Sequence, residues 1–276
     1  MRGKIIKLIS NDYTVLFNDK EYVCKSRGKF RNLKISPLVG DEVIFDENNN
    51  YILEVLPRKN ALLRPPVANI DQAVIITSVK HPDFSSNLLD KLLTIIEFNN
   101  IKPIICFTKL DLLSDIEKKE MDSVIAYYNK IYDVYLNTEV DKIKQIFINK
   151  VTVFTGQSGA GKSTLLNHLD SNLNIKTNDI SYALGRGKHT TRHVELLPIY
   201  NGLVADTPGF SAVDFNDMCN SDIRDNFIEF NRYREECKYK DCMHNKEDDC
   251  AIKKEVVKGN ILKSRYDNYI NFINKR

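Results

Sequence analysis

The stretch Gly156-Gln157-Ser158-Gly159-Ala160-Gly161-Lys162-Ser163 fits G-x-x-x-x-G-K-[ST], a phosphate-binding loop. The apolar run Val151–Phe154 precedes it, and Leu165, Leu166 and Leu169 follow at helical spacing. That context predicts a strand, a Gly-rich turn and a helix. Glycines let successive backbone N–H groups close around phosphates, and the helix N-terminus adds partial positive charge. Residues 156–163 and Thr164 are therefore candidate nucleotide contacts. Lys162 would neutralise the β- and γ-phosphates, and Ser163 would ligate Mg²⁺.

Two further motifs sit at predicted strand ends. Asp206-Thr207-Pro208-Gly209 follows Leu203-Val204-Ala205 and fits D-x-x-G. Asp206 would hold Mg²⁺ and the Gly209 N–H would sense the γ-phosphate. Thr108-Lys109-Leu110-Asp111 follows the buried-strand pattern Pro103–Phe107 and fits [NT]-K-x-D. A carboxylate at Asp111 can accept from both N1–H and the 2-amino group of guanine, a donor pair that adenine lacks. The Lys109 stem can cover one face of the base.

Motif order adds information. Most GTPases place the phosphate loop first and the guanine motif last. Here residues 108–111 precede 156–163, which precede 206–209. A sheet with neighbouring ends tolerates circular permutation. Between the phosphate loop and Asp206 lies Gly185-Arg186-Gly187-Lys188-His189-Thr190-Thr191-Arg192, in the switch I position. Thr190 or Thr191 could ligate Mg²⁺ when GTP is bound. Phe210 follows Gly209, where Ras-like enzymes place a water-orienting glutamine, so intrinsic hydrolysis should be slow and partner-accelerated. His189 is the nearest candidate catalytic group for the water, although a histidine in a basic loop also reads as a solvated or RNA-contacting one.

Three of six cysteines fall within 14 residues as Cys237-x4-Cys242-x-His244-x5-Cys250. Three thiolates and an imidazole complete a tetrahedral Zn²⁺ shell with no open position, a structural site. Residues 1–56 read as five short strands, Lys4–Ile9, Tyr13–Phe17, Glu21–Lys25, Glu42–Phe45 and Tyr51–Leu56, punctuated by Asn/Asp/Gly turns. Five strands in that length suggest an OB-like barrel. Within it, Lys25, Arg27, Lys29 and Arg31 surround Phe30, a pattern that could track a phosphate backbone while Tyr22 or Phe30 stacks on a base. Plain solvated surface fits each of these residues as well. Strand and helix patterns alternate over 66–213, and helical, charged sequence follows.

The chain has 276 residues, 42% apolar and 28% charged, enough to bury a core. Net charge is +3, with +4 over 1–65, −1 over 66–213, −5 over 214–250 and +5 over 251–276. Basic ends fit a polyanion partner. No apolar run reaches the roughly 18 residues of a membrane span, and the N-terminus lacks a signal-like apolar region, so a cytosolic protein is expected.

Taken together, these residues resemble the circularly permuted RsgA-type GTPases of small ribosomal subunit biogenesis. Val39-Gly40-Asp41-Glu42-Val43, Leu63-Arg64-Pro65, Ala68-Asn69-Ile70-Asp71-Gln72, the permuted motifs, the Cys/His cluster and Arg265-Tyr266-x2-Tyr269 carry the resemblance along nearly the whole chain. It implies a multidomain α/β plus β-barrel protein: an OB-fold over 1–65, a permuted GTPase domain over 66–213 and a helical zinc-binding domain over 214–276. It implies GTP hydrolysis to GDP stimulated by the 30S subunit, rRNA contact, late subunit maturation, and a monomer in a bacterial cytoplasm. It assigns zinc to Cys237, Cys242, His244 and Cys250, and hydrolysis to His189. Thr108 departs from the usual Asn, which would weaken support of the phosphate loop, and Leu136-Asn137-Thr138 matches the usual guanine-supporting Ser-Ala loop only loosely. Two other readings stay open: an ATPase or kinase with 108–111 accidental, and a zinc-containing RNA-binding module holding GTP as a static ligand.

Overall fold

The computed structural model describes residues 1–27, 30, 36–63, 66–170, 194–205 and 214–275. The chain forms two compact units, Met1–Val74 with Asn137–Thr155 and Gly161–Ser211, and Ile75–Leu136 with Gly156–Ala160 and Ala212–Arg276.

The first unit begins with a closed barrel. Its strands are β1 (Arg2–Ile9), β2 (Asp12–Phe17), β3 (Lys20–Ser26), β4 (Glu42–Asp46) and β5 (Tyr51–Val55). They close in the order β1-β2-β3-β5-β4, with β3 parallel to β5 and the other pairings antiparallel. All five expected strands are present. Ile5, Val15, Cys24, Val43, Phe45 and Ile52 fill the interior. The turns use Ser10, Asn18, Asp19 and Asn50 in left-handed conformation, which Asn and Asp tolerate better than most residues.

Beyond the barrel, β6 (Ala61–Leu63) pairs antiparallel with β7 (Pro66–Ala68). Asn60 fastens the base of this hairpin, donating to the Ile70 carbonyl and accepting from the Ile70 N–H. Gly40 sits at φ +91°, where an added Cβ would meet the Ala68 carbonyl oxygen at 2.0 Å, so only glycine fits. The Asp41 carboxylate is fully buried and takes two bonds from Arg58 and one from the Leu38 N–H.

The α/β sheet contains β8 (Gln72–Ser78), β9 (Lys102–Thr108), β10 (Asp133–Leu136), β11 (Val151–Gly156), β12 (Leu196–Ile199) and β13 (Gly202–Ala205). Their order is β10-β9-β8-β11-β13-β12. Strand β10 runs parallel to β9 and β11 parallel to β13, while β12 returns antiparallel on β13. Every residue of β8 and of β11 is buried, which explains why both read as continuous apolar runs.

The connecting helices are α1 (Ser86–Phe98), α2 (Asp115–Tyr128), α3 (Val140–Ile146) and α4 (Lys162–Leu169). Ser85 caps α1, and Ser114 with Glu117 forms a capping box on α2.

The C-terminal part of the second unit packs α5 (Asn220–Asp225), α6 (Ala251–Val257) and α7 (Lys263–Asn274) around Phe215, Phe227, Phe230, Tyr269 and Phe272. Beneath it lies a buried ionic cluster. Arg265 of α7 is completely buried and donates to Asp90 of α1 at 2.7 Å, to both carboxylate oxygens of Glu229 and to the Tyr132 hydroxyl. Asp90 also accepts from Tyr128 and Asn268. Beside this cluster, burial pushes the Glu97 carboxyl up to about 7, opposed by Arg265 and reinforced by Glu229. Its ordinary value is 4.5. Between those values the folded chain holds a proton that the unfolded chain releases, so this contribution is complete below 4.5 and is lost as pH rises through 7. Glu97→Gln should flatten stability between pH 5 and pH 8. Equal pH slopes for urea midpoints of wild type and Glu97→Gln would remove Glu97 as the cause.

Candidate nucleotide and metal sites

Strand β11 delivers the chain to Gly156, whose φ of +133° no side chain adopts readily. A Cβ there would lie 2.0 Å from the Ile76 carbonyl oxygen, so glycine lets the loop leave the sheet in direct backbone contact with β8. Gly159 and Gly161 are also at positive φ, and Gly161 precedes the first turn of α4. Lys162 and Ser163 occupy that turn, with Ser163 buried and Thr164 exposed. The strand, turn and helix predicted for residues 151–169 are all present.

In the second unit the guanine motif meets this loop. The Thr108 hydroxyl donates to the Ala160 carbonyl at 2.7 Å, and the Lys109 ammonium donates to the Gly159 carbonyl at 2.8 Å and to the His81 carbonyl. Thr108 thus braces the loop through its one hydroxyl, and the single donor is sufficient for that contact. Lys109 takes a left-handed conformation, φ +63°, which turns the chain into the short 3-10 turn Leu110–Leu112 and leaves Asp111 exposed. Two motifs about 50 residues apart in sequence therefore share hydrogen bonds, an arrangement that an accidental four-residue match does not predict. His81, which anchors Lys109 through its backbone, lies on the loop after β8 and has no side-chain signature in the sequence.

Strand β13 ends at Ala205, one residue before Asp206, in parallel register with Val153 of β11. Asp206, Gly209, His189, Thr190 and Thr191 lie outside the described residues. Strand β10 ends at Leu136, paired with Phe107 of β9, so Leu136-Asn137-Thr138 follows a strand beside the one that carries Thr108.

Cys237, Cys242, His244 and Cys250 come together as one cluster whose potential ligand atoms all lie within 4.8 Å of one another. The His244 Nδ1 is 3.6 Å from the Cys237 Sγ and 3.3 Å from the Cys250 Sγ, and those two sulfurs are 4.0 Å apart. A tetrahedral ion with metal–sulfur bonds of about 2.3 Å requires ligand spacings of roughly 3.5–3.8 Å. Spacings of 3.3–4.0 Å among Cys237, His244 and Cys250 bracket that range, and Cys242 lies within 4.8 Å of each of them. His244 reaches this position through a left-handed backbone, φ +56°. Its loop is fixed by Glu247, which accepts from the N–H groups of Met243 and Asn245, and by Tyr266, which donates to the His244 carbonyl. Burial pushes the Cys242 thiol up to about 12 and the His244 imidazole down to about 4. Without a cation these groups therefore favour their neutral forms, and a bound cation is what would make thiolates favourable here. The cluster could hold one metal ion.

The basic loop of the barrel departs from expectation. Phe30 is only 4% exposed, so its ring packs inside and is not presented for base stacking. The cause is apolar burial, which the four flanking cations mask in the sequence. Arg27 instead lies over the exposed ring of Tyr51, 5.8 Å from its centroid. Lys25 is exposed at the end of β3, Tyr22 is half-buried against Phe45, and Lys29 and Arg31 lie outside the described residues. No helix among the described residues is long and apolar enough to cross a membrane.

Comparison with known proteins agrees with this geometry. The RsgA GTPase family matches residues 55–216, and the RsgA N-terminal domain matches residues 2–52. The small ribosomal subunit biogenesis GTPase RsgA of Enterococcus faecalis is 47% identical, covering 99% of this chain and 94% of its own. The small ribosomal subunit biogenesis GTPase RsgA 1 of Listeria monocytogenes is 49% identical, covering 99% and 96%. Among solved structures, YloQ, described as a circularly permuted GTPase, superposes with a TM-score of 0.83 at 40% identity, covering 99% of this chain and 94% of its own. YjeQ from Thermotoga maritima superposes with a TM-score of 0.85 at 31% identity, covering 99% and 97%. A barrel followed by permuted nucleotide motifs and a Cys/His cluster, matched from end to end by these proteins, makes the chain a member of the RsgA GTPase family.

Proposed function

We propose that this GTPase acts in late maturation of the 30S ribosomal subunit in a bacterial cytoplasm. It would bind rRNA as a monomer and hydrolyse GTP faster when docked on the subunit. The observation that carries the nucleotide reading is the pair of bonds from Thr108 and Lys109 to the carbonyls of Ala160 and Gly159. They hold base-reading and phosphate-binding segments in one arrangement.

In this reading residues 156–164 hold the phosphates, Lys162 offsets their charge, and Asp111 reads guanine while the Lys109 stem lies along the base. Ser163, Asp206 and Thr190 or Thr191 would hold Mg²⁺, which supplies charge neutralisation at the phosphates. The Gly209 N–H would sense the γ-phosphate, and His189 would position the attacking water. The domain division is 1–65, 66–213 and 214–276, with rRNA meeting Lys25, Arg27, Lys29 and Arg31 of the barrel.

GTP turnover with purified 30S subunits, with 50S subunits as control, tests the reading. We expect a rise with 30S alone. Equal slow rates in all three would sink subunit stimulation and favour the static RNA-binding alternative.

The metal in the Cys/His cluster is zinc in this reading, because three thiolates and one imidazole with tetrahedral spacing suit it. Elemental analysis should give one zinc per chain. Cys250→Ser should lose it and melt earlier, since Cys250 is both a ligand in this reading and the N-cap residue that ties the cluster to α6. A Cys250→Ser chain that keeps zinc and its melting temperature would remove this cluster as the site.

A further inference from the structure

A groove of about 420 Å³ opens between helix α2 and the loop that follows β8. Val79, Leu113, Met121 and Val124 supply the apolar part of its lining. Along α2 its lining residues fall at 117, 120, 121 and 124, a stripe at helical spacing, and Leu113 lies just before the helix. The residues of α2 that are fully buried are Tyr127 and Tyr128, one turn further on, so this stripe stays only partly covered. Ile116, in the first turn of α2, is 75% exposed, and Leu112, in the turn before it, is 43% exposed.

Charge on the walls is unbalanced. Lys80 is engaged by both carboxylate oxygens of Glu117, at 2.9 and 3.0 Å. Asp83 and Glu120 also line the groove, and among the described residues neither has a hydrogen bond or ion pair. An apolar lining beside two uncompensated carboxylates is complementary to a long cationic side chain, whose methylene stem lies on the apolar residues and whose head reaches the carboxylates. Nucleic acid is disfavoured at this place by the same two charges.

We infer that this groove docks a basic segment of a partner protein, in which arginine or lysine alternates with apolar residues. The groove also touches the base-reading machinery. Val79, Lys80 and Asp83 belong to the same short loop as His81, whose carbonyl holds the Lys109 ammonium. The Val79 N–H donates to the Thr108 carbonyl at 3.2 Å, and the Ser78 hydroxyl donates to the Lys80 carbonyl at 2.7 Å. A side chain seated against Asp83 adds a further contact to the loop that carries the His81 anchor of Lys109. Occupancy of the groove therefore tightens guanine nucleotide binding, and by linkage GDP tightens the groove for its peptide by the same factor.

The test uses the full chain and a fluorescein-labelled peptide of alternating arginine and leucine, followed by anisotropy. The peptide should bind, and Asp83→Lys with Glu120→Lys should weaken it on the order of tenfold, as two lost exposed ion pairs would. Both positions are exposed, and circular dichroism confirms that the variant is folded. Saturating peptide should lower the Kd for mant-GDP about threefold, and saturating GDP should lower the peptide Kd by that factor. Absence of peptide binding, or equal binding by the double variant, overturns the docking site. Binding of a fluorescein-labelled uridine 20-mer to the peptide-free chain that Met121→Glu weakens assigns the groove to RNA and overturns it also. Self-association of the chain that Glu120→Lys abolishes assigns it to a second copy, with the same consequence. Peptide binding that leaves the mant-GDP Kd unchanged overturns the coupling to the nucleotide.

Discussion

Arg265→Ala should be among the most destabilising single substitutions in this chain. It removes the one cation that, among the described residues, pairs with Asp90 and Glu229, and it leaves both carboxylates in the interior. Burial already favours the neutral form of Asp90, and the guanidinium opposes that. Breaking a buried ion pair from one side costs about 3–5 kcal/mol, a large part of the roughly 5–15 kcal/mol that holds a domain together. Packing is lost as well, because the guanidinium lies 4.6 Å from the ring centroid of Phe227.

The origin of the loss can be separated from general core damage. Arg265→Met together with Asp90→Asn and Glu229→Gln removes the charge on both sides, and should be far milder than Arg265→Ala. Arg265→Lys keeps the charge but loses the fork that reaches Asp90, Glu229 and Tyr132 at once, so it should fall between them. Urea denaturation of the four chains decides it. A loss below about 1 kcal/mol in Arg265→Ala, or a triple variant no better than it, would show that the cluster does not hold α7 in place.

The same cluster shows where sequence reasoning reaches and where it stops. Arg265 stood out only through the Arg-Tyr-x2-Tyr resemblance, because its partners are 36 and 175 residues away and no local period links them. Strands β8, β9 and β11 were legible because parallel strands buried on both faces leave unbroken apolar runs. The barrel was legible through its Asn/Asp turns, which match the left-handed residues observed at 18, 19 and 50. Phe30 was misread because four neighbouring cations made the segment look wholly superficial. Pro66 starts the second strand of a hairpin, a pairing that no local residue announces. Prolines and glycines report local chain direction, and pairing across the turn is decided by distant residues such as Val39, which bridges to Val67.

The phosphate loop and the guanine motif were each legible alone. Their mutual support was not, since backbone carbonyls at 81, 159 and 160 accept the bonds and carbonyls leave no mark on a sequence. That support gives Asp111 a defined place. The Leu112 N–H closes the turn onto the Lys109 carbonyl at 3.1 Å, and Lys109 itself is anchored twice. Asp111→Asn is nearly isosteric on an exposed turn, so the fold should persist while base recognition changes.

The expected change follows from donors and acceptors. A carboxylate accepts from guanine N1–H and from its 2-amino group. An asparagine amide accepts once and turns its own NH₂ toward the 2-amino group, so two donors face each other. Two charge-assisted hydrogen bonds at about 1.5–3 kcal/mol each correspond to a loss of roughly 10²–10⁴ in guanine nucleotide affinity. Xanthine carries a carbonyl where guanine carries the amine, and that carbonyl accepts from the new NH₂. Competition against mant-labelled nucleotides should therefore show Asp111→Asn preferring XDP to GDP, with ADP weak in both chains. If GDP still outcompetes XDP in the variant, Asp111 does not touch the base, and the bonds from Thr108 and Lys109 to the phosphate loop would brace a pocket that reads something other than guanine.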